Sequence, residues 1–487
     1  MTPVDPAQVR GALGWSTIST LILRLGTFAV GIVLARILTP EQFGVFAVAL
    51  TVQAVLITLA DLGLSADLIR TSHPERIAPT VATFGLVAGT VMTAGMALSG
   101  HAVADLLGSP QAGNVIVVLS FTLLLGGAGL VPYAMLQRRF QQKRLFLISV
   151  IDFVFGTTIT LLLLWNGWGV LALAVGRVSA QAVTLVLQFA LSGERPRYGL
   201  DRRVVRPVLA YGLPIAAANL LSWALLNIDN VVIARISGPV ALGFYFLAFN
   251  ISSWPMTALG QIVRSVALPT FSRTLASRND PSLATATALT GAVAVPAGAF
   301  LALLSGPLIM VVYGGKWAAA APVLAALGLF GALRAIFDVI VSYLLARGAS
   351  RAVLRIQVLW FILLVPATVA ATLWWGITGA AWAHLVVSVV VVLPAYLLAA
   401  KRVGADVRLM LARSWQPVAA MIPAAIVILA VTILLPGDLL TLLVGGLAGA
   451  LVYAGLIFRW VHGRIPRPIP AEAPPVTVKS PLEERQS

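Results

Sequence analysis

Ala35-Arg36-Ile37-Leu38-Thr39-Pro40-Glu41-Gln42-Phe43-Gly44 returns 199 residues later as Ala234-Arg235-Ile236-Ser237-Gly238-Pro239-Val240-Ala241-Leu242-Gly243. Each copy closes one long apolar run and opens another, with a proline turn at the joint. Two copies of one helix–turn–helix imply two copies of a larger unit. The first copy ends the run 14–38, which carries a lone arginine, Arg24, near its middle. Ten residues into a helix is a depth of ~15 Å at 1.5 Å per residue, close to the centre of a bilayer.

The 487 residues are 59% hydrophobic and only 10% charged, with a mean hydropathy of +0.97. A soluble domain carries roughly 25% charged residues, so water is not the main solvent. The runs predict an all-α polytopic membrane protein with about fourteen transmembrane helices. They cover roughly 14–38, 42–64, 77–99, 114–136, 145–165, 169–192, 204–231, 240–262, 285–312, 319–345, 353–375, 378–400, 415–435 and 439–460. An offset of six spans preserves direction, so the repeat is parallel, about an axis along the membrane normal. The expected organisation is two pseudo-symmetric six-helix lobes, 1–200 and 201–402, two additional helices in 403–462, and a disordered tail, 463–487. A second echo, Trp165-Asn166-Gly167-Trp168-Gly169 against Trp374-Trp375-Gly376 and Gly379, supports the same division.

Twenty-seven of the 33 basic residues fall on one side of these spans, and only Arg36, Arg235 and Lys316 on the other. By the positive-inside rule both termini are expected in the cytoplasm. The net charge of +16 is then a property of loops and does not imply nucleic acid. Cysteine is absent and the four histidines stand far apart, so neither disulfides nor a metal centre are expected. No phosphate-binding Gly-x-x-x-x-Gly-Lys-Ser/Thr occurs, and the carboxylates are few and scattered. No catalytic set and no cofactor are therefore expected.

The charges inside the spans carry the functional information. Ser16, Thr20, Arg24, Thr27 and Gly31 lie three or four residues apart and form one polar or small stripe. Such a stripe faces a cavity, where Arg24 would meet an anion, or a helix partner, where it would pair with Asp61 or Asp152. The matching span has Trp223 in place of Arg24, within a stripe of Asn219, Trp223, Asn227 and Asn230 beside Asp229. Asparagines in apolar helices serve as interhelical glue as well as ligands. Asp61 and Asp229 fall near span ends, within reach of water, and are candidates for proton or sodium coupling. Arg177 would extend a basic path from Arg24; its depth differs from that of Asp152 on the preceding helix. Arg334 and Asp338 are spaced as an i,i+4 pair. Arg36 and Arg235, at helix C-termini, are expected to meet the helix dipole and reach for the interface.

Val33-Leu34-Ala35-Arg36-Ile37-Leu38-Thr39-Pro40-Glu41-Gln42-Phe43-Gly44, followed by Asp61-Leu62-Gly63-Leu64, resembles the opening of Wzx-type polysaccharide flippases. These belong to the multidrug/oligosaccharidyl-lipid/polysaccharide (MOP) exporter superfamily. Tyr211-Gly212-Leu213-Pro214 and Val231-Val232-Ile233-Ala234-Arg235 resemble the start of that family's second lobe. The resemblance implies a flippase of the bacterial cytoplasmic membrane that moves undecaprenyl-diphosphate-linked oligosaccharide repeat units by alternating access. It also implies polysaccharide polymerase and chain-length machinery as partners. Arg24 would then hold the diphosphate, with Trp223 and nearby polar side chains beside the sugars. Three other readings stay open: a lipid II flippase, a multidrug exporter, and a membrane polymerase or ligase acting on the same lipid-linked sugars. Exporters of organic cations favour carboxylates over arginine, and polymerases carry a large outer loop that this chain lacks.

Overall fold

The computed structural model describes residues 23–61, 64–71, 73–195, 197–273 and 281–462, and among them there is no strand. Thr20 and the tail 463–487 lie outside the described residues. Helix α1 covers 23–37. It is followed by α2 (Pro40–Asp61), α3 (Leu64–Arg70), α4 (Pro74–Leu106), α5 (Gly113–Arg138), α6 (Gln142–Trp165) and α7 (Leu171–Ser192). Next come α8 (Arg202–Arg273), α9 (Ser282–Leu303), α10 (Ser305–Leu308), α11 (Ala321–Ala346), α12 (Ser350–Val387) and α13 (Leu393–Arg402). The chain ends on α14 (Val407–Leu434), α15 (Asp438–Leu440) and α16 (Gly446–His462).

Eleven helices among the described residues are long and apolar enough to cross a membrane. The chain is a multi-pass membrane protein. Two of the eleven, Ala216–Pro255 and Ser350–Arg402, run for 40 and 53 residues. A straight 40-residue helix is ~60 Å long, twice the hydrocarbon thickness. Each is broken at a glycine with positive φ, Gly238 (φ 80°) and Gly376 (φ 61°), a region that favours glycine. Eleven falls short of the expected fourteen because each broken helix counts once and the run 14–38 is described only from residue 23.

The two copies of the repeated turn pack against each other. A Cβ on Gly44 would stand 1.7 Å from the Pro239 carbonyl oxygen, and one on Gly243 would stand 2.0 Å from that of Pro40. The contact is reciprocal, as expected for two related segments meeting near a common axis. Small residues at such crossings let backbones approach closely within a membrane. Around this crossing lies the main core, where Phe43 and Phe244 both meet the buried Trp317 ring edge to face, with centroids 5.3 and 5.9 Å apart. The C-terminal helices α14 and α16 lie against α9, where the Tyr453 hydroxyl donates to the Ala292 carbonyl at 2.8 Å.

The Gly44–Gly243 crossing leaves no room for a methyl group. Gly243→Ala should lower the yield of folded protein and its Tm by several degrees, since overpacking costs about 1–3 kcal/mol or more. Gly291→Ala, where nothing lies within 4 Å of the added methyl, should change neither by comparison. Thermal unfolding of the two purified variants checks this.

Candidate functional site

A cavity of about 680 Å3 is lined by α2, α5, α6, α7 and one residue each of α3 and α8. One wall is a stripe on α7: Arg177, Gln181, Thr184 and Gln188 all line the cavity. Their spacing of four, three and four residues puts them on a single helix face. The stripe extends ~16 Å, from Arg177 to Gln188 at 1.5 Å per residue. Elsewhere on α7, Gly176 and Ala180 pack closely against Thr160 and Gly156 of α6. The remaining polar lining includes Gln53 and Thr58 of α2, Thr122 and Tyr133 of α5, Ser149 and Asp152 of α6, and Asn219 of α8. Gln53 Nε2 donates to Thr122 Oγ1 at 2.5 Å, and Thr184 Oγ1 donates to Asp152 Oδ1 at 2.8 Å. Arg177 is exposed to the cavity and has no hydrogen-bond or ion-pair partner among the described residues. It therefore presents a full fork of donors to whatever enters.

The cavity reaches Ser65, Tyr133 and Leu145, beside the loops that carry the basic residues. Interactions between the end of α1 and residues 311–317 hold the opposite end. Arg36 Nε donates to the Val312 carbonyl at 2.8 Å and Arg36 Nη2 to that of Val311 at 2.6 Å. In return, Lys316 Nζ donates to the carbonyls of Arg36 and Leu38, both at 2.8 Å, and Trp317 Nε1 to that of Ala35 at 2.8 Å. Carbonyls at a helix C-terminus lack intrahelical donors, and cations there meet the negative end of the dipole. This corrects the expectation for Arg36, whose side chain binds carbonyls on a distant segment of the protein. At the matching place in the second copy, Gly108 lies against the Ala234 carbonyl, 3.1 Å from where its Cβ would be. Arg235 there has no partner among the described residues. The two joints match in position, and only one is latched.

A second polar cluster is fully enclosed. Asp229 and His384 are each 0% exposed, which corrects the expectation that water reaches Asp229. Asp229 Oδ1 accepts from the Asn230 N–H at 3.0 Å. Its Oδ2 accepts from the Tyr245 hydroxyl and lies 3.2 Å from His384 Nε2. Asn230 Nδ2 reaches Thr51 Oγ1 on α2 at 3.4 Å, which ties the cluster to the first repeat. Asn227 Nδ2 donates to the Trp223 carbonyl one turn earlier, at 3.0 Å, so its amide is partly committed to its own helix. Tyr245 and His384 were missed in the sequence, although both leave a signal there. Tyr245 stands where the first copy has Phe46, and His384 is an ionisable residue inside an apolar run.

The expected site residues thus separate. Arg177 and Asn219 meet at the cavity, whereas Arg24, Thr27, Trp223 and Asn227 do not line it. Arg24 is half-buried near the start of the described part of α1. That helix packs through Gly26 on the Phe153 ring and through Phe28, stacked on Trp254 at 4.9 Å. Asp152 accepts from Thr184, and no ion pair joins it to Arg24 among the described residues. The Asp61 side chain lies outside the described residues. Among the described residues no three His, Asp or Glu side chains gather as a metal site would require.

The family described as "Polysaccharide biosynthesis protein" matches residues 33–322, a stretch that contains the cavity, the latch and the first part of the enclosed cluster. The chain belongs to the polysaccharide biosynthesis protein family. It is similar to the succinoglycan biosynthesis transport protein ExoT of Rhizobium meliloti, with 28% identity over 78% of this chain and 77% of that protein. It is also similar to the lipopolysaccharide biosynthesis protein WzxC of Escherichia coli, with 27% identity over 87% and 88% of the two chains. In fold it resembles the lipid II flippase MurJ in an inward closed conformation, with a TM-score of 0.74, 16% identity, and coverage of 92% and 98%. An inward-facing multidrug transporter of the MOP superfamily aligns with a TM-score of 0.65 and 16% identity over 80% and 98%.

The latch makes a direct prediction, helped by the absence of native cysteine. A cysteine introduced as Ala35→Cys should be shielded from a membrane-impermeant maleimide, because Ala35 is 0% exposed. Adding Lys316→Ala should speed labelling at least about tenfold, equivalent to loss of ~1.4 kcal/mol of hydrogen bonding. Adding Arg235→Ala instead should leave the labelling rate unchanged.

Proposed function

We propose that this protein moves undecaprenyl-diphosphate-linked oligosaccharide repeat units from the cytoplasmic to the periplasmic leaflet of a bacterial membrane. The observation that carries the reading is the cavity near the basic end, with an unpartnered Arg177 above a ladder of amides and hydroxyls. A diphosphate crossing hydrocarbon needs a hydrated cationic path, and a guanidinium offers a planar fork that matches phosphate oxygens. Gln53, Gln181 and Asn219 supply amide donors and acceptors for sugar hydroxyls. The prenyl chain stays in lipid. With the basic loops in the cytoplasm, the cavity loads from the inside while the Arg36–Lys316–Trp317 latch holds the outside shut. Opening the latch and closing the basic end, by rocking of lobes 1–200 and 201–402, completes alternating access. Arg24, on the helix packed between α6 and α8, is the next cation on the route. No covalent step is assigned to the chain.

The membrane potential, negative inside, already favours outward movement of an anion by ~2.3 kcal/mol per charge per 100 mV. For any further coupling we read a proton at Asp229 and His384. Both carboxylate oxygens of Asp229 are engaged by Asn230, Tyr245 and His384. A sodium ion would have to displace these partners, whereas a proton shared by the acid and the imidazole needs no coordination shell. Asp61 remains a second candidate near the basic end.

Arg177→Gln should reduce polysaccharide export at least about tenfold with membrane levels unchanged, the loss expected for one charge-assisted phosphate contact of ~1.5–3 kcal/mol. Normal export by that variant would remove the diphosphate from this cavity, and normal export by Arg24→Ala would remove Arg24 from the route. Deleting the gene should leave viable cells that lack the polymer; lysis would instead favour lipid II as cargo. In vesicles, a proton gradient should stimulate transport by the wild type and not by His384→Gln. Stimulation by a sodium gradient alone would reverse the assignment of the ion.

A further inference from the structure

Residues 193–195 and 197–201, between α7 and α8, are non-helical and form a strap at the basic end. The strap is fastened at both ends. Arg139 donates to the Ser192 carbonyl at 2.9 Å and to Glu194 Oε1 at 2.6 Å. Further along, the Gly199 N–H donates to Thr83 Oγ1 at 3.0 Å and the Asp201 N–H to Thr80 Oγ1 at 3.2 Å. Beneath the strap lies a second cavity, of about 350 Å3. Its floor is apolar, with Ala78 and Ala82 of α4, Val131 of α5 and Phe189 of α7, while Arg195 and Arg197 stand at its rim. Both arginines are exposed and have no partner among the described residues. Glu194 is taken by Arg139, and Glu75, with no ion pair among the described residues, offsets one of the two guanidinium charges and leaves the rim with one in excess.

We propose that this second cavity binds an anionic glycerophospholipid of the leaflet on the basic side, with its phosphate on Arg195 and Arg197 and its upper acyl chain on the apolar floor. An apolar floor under a cationic rim fits an amphipathic anion better than a free phosphate. The strap also carries exposed Tyr198, whose ring type settles at headgroup depth, and exposed Leu200. The cavity is off the translocation route. Gly126, Gly129 and Tyr133 of α5 face the large cavity, whereas Ala128 and Val131 face the pocket under the strap, so α5 stands between the two. Its occupant is therefore a bulk lipid that braces the connection between the two repeats, and not cargo in transit. This inference does not depend on the identity of the cargo.

Native mass spectrometry of the full-length protein, titrated with phosphatidylglycerol or phosphatidylcholine, tests the site. Phosphatidylglycerol should bind more tightly than phosphatidylcholine. Arg195→Gln with Arg197→Gln should weaken the phosphatidylglycerol adduct about tenfold or more, since each basic residue near an anionic surface contributes ~1 kcal/mol. Ala82→Trp, which fills the floor and keeps the charges, should weaken it too. Arg351→Gln with Arg355→Gln, exposed elsewhere on the same side, should leave it unchanged. Retained phosphatidylglycerol in the Arg195/Arg197 variant would overturn the proposal, as would equal loss in the Arg351/Arg355 variant. Displacement of phosphatidylglycerol by undecaprenyl diphosphate would assign the pocket to cargo and overturn it as well.

Discussion

The backbone contact between Gly44 and Gly243 is the constraint on which the other features rest. Each glycine touches the carbonyl of the proline that opens the other's turn, Pro239 and Pro40. Hydrophobic burial gives little drive for helix association within lipid, so close packing must hold the bundle together. A contact with no space for a methyl group fixes where α2 and α8 cross. From that crossing follow the placement of Trp317 between Phe43 and Phe244, and the reach of Arg36 and Lys316 across to each other's segments. A shared axis does not make the halves chemically equal. It lets one half change its chemistry while the other preserves the frame.

That division of labour is visible at three levels. At the two repeated joints, Arg36 is bonded to the Val311 and Val312 carbonyls, whereas Arg235 has no partner among the described residues. In the first repeat an open cavity carries an unpaired cation and a ladder of neutral polar groups. In the second, Asp229 is enclosed, and its two oxygens contact Asn230, Tyr245 and His384. An exposed guanidinium can exchange water for an anion at modest cost, while a buried carboxylate must keep its partners or take up a proton. The hydrogen bond from Asn230 to Thr51 places the two within one connected structure.

Much of the architecture was legible because it rests on composition and repetition. Apolar length, turn residues and the recurrence of Ala35–Gly44 at 234–243 required no knowledge of contacts. The site was less legible. Arg24 drew attention as a mid-membrane cation, yet Arg177 is the one that lines the cavity. The α7 stripe was available at helical spacing, but amides and threonines score as ordinary helix glue until a void is seen beside them. Asp229 read as a boundary residue because linear depth says nothing about what covers a side chain, and Tyr245 and His384 cover it here. The latch was out of reach altogether, since its donors and acceptors lie about 280 residues apart.

The central claim is that a lipid-linked diphosphate is carried through the cavity on Arg177. Proteoliposomes containing purified protein and a fluorescent undecaprenyl-diphosphate oligosaccharide measure this most directly, through the rate at which label becomes accessible to an impermeant quencher. The wild type should translocate the lipid, and Arg177→Gln should slow it at least about tenfold, in line with the loss of one charge-assisted contact. Equal rates for the two proteins would contradict the account.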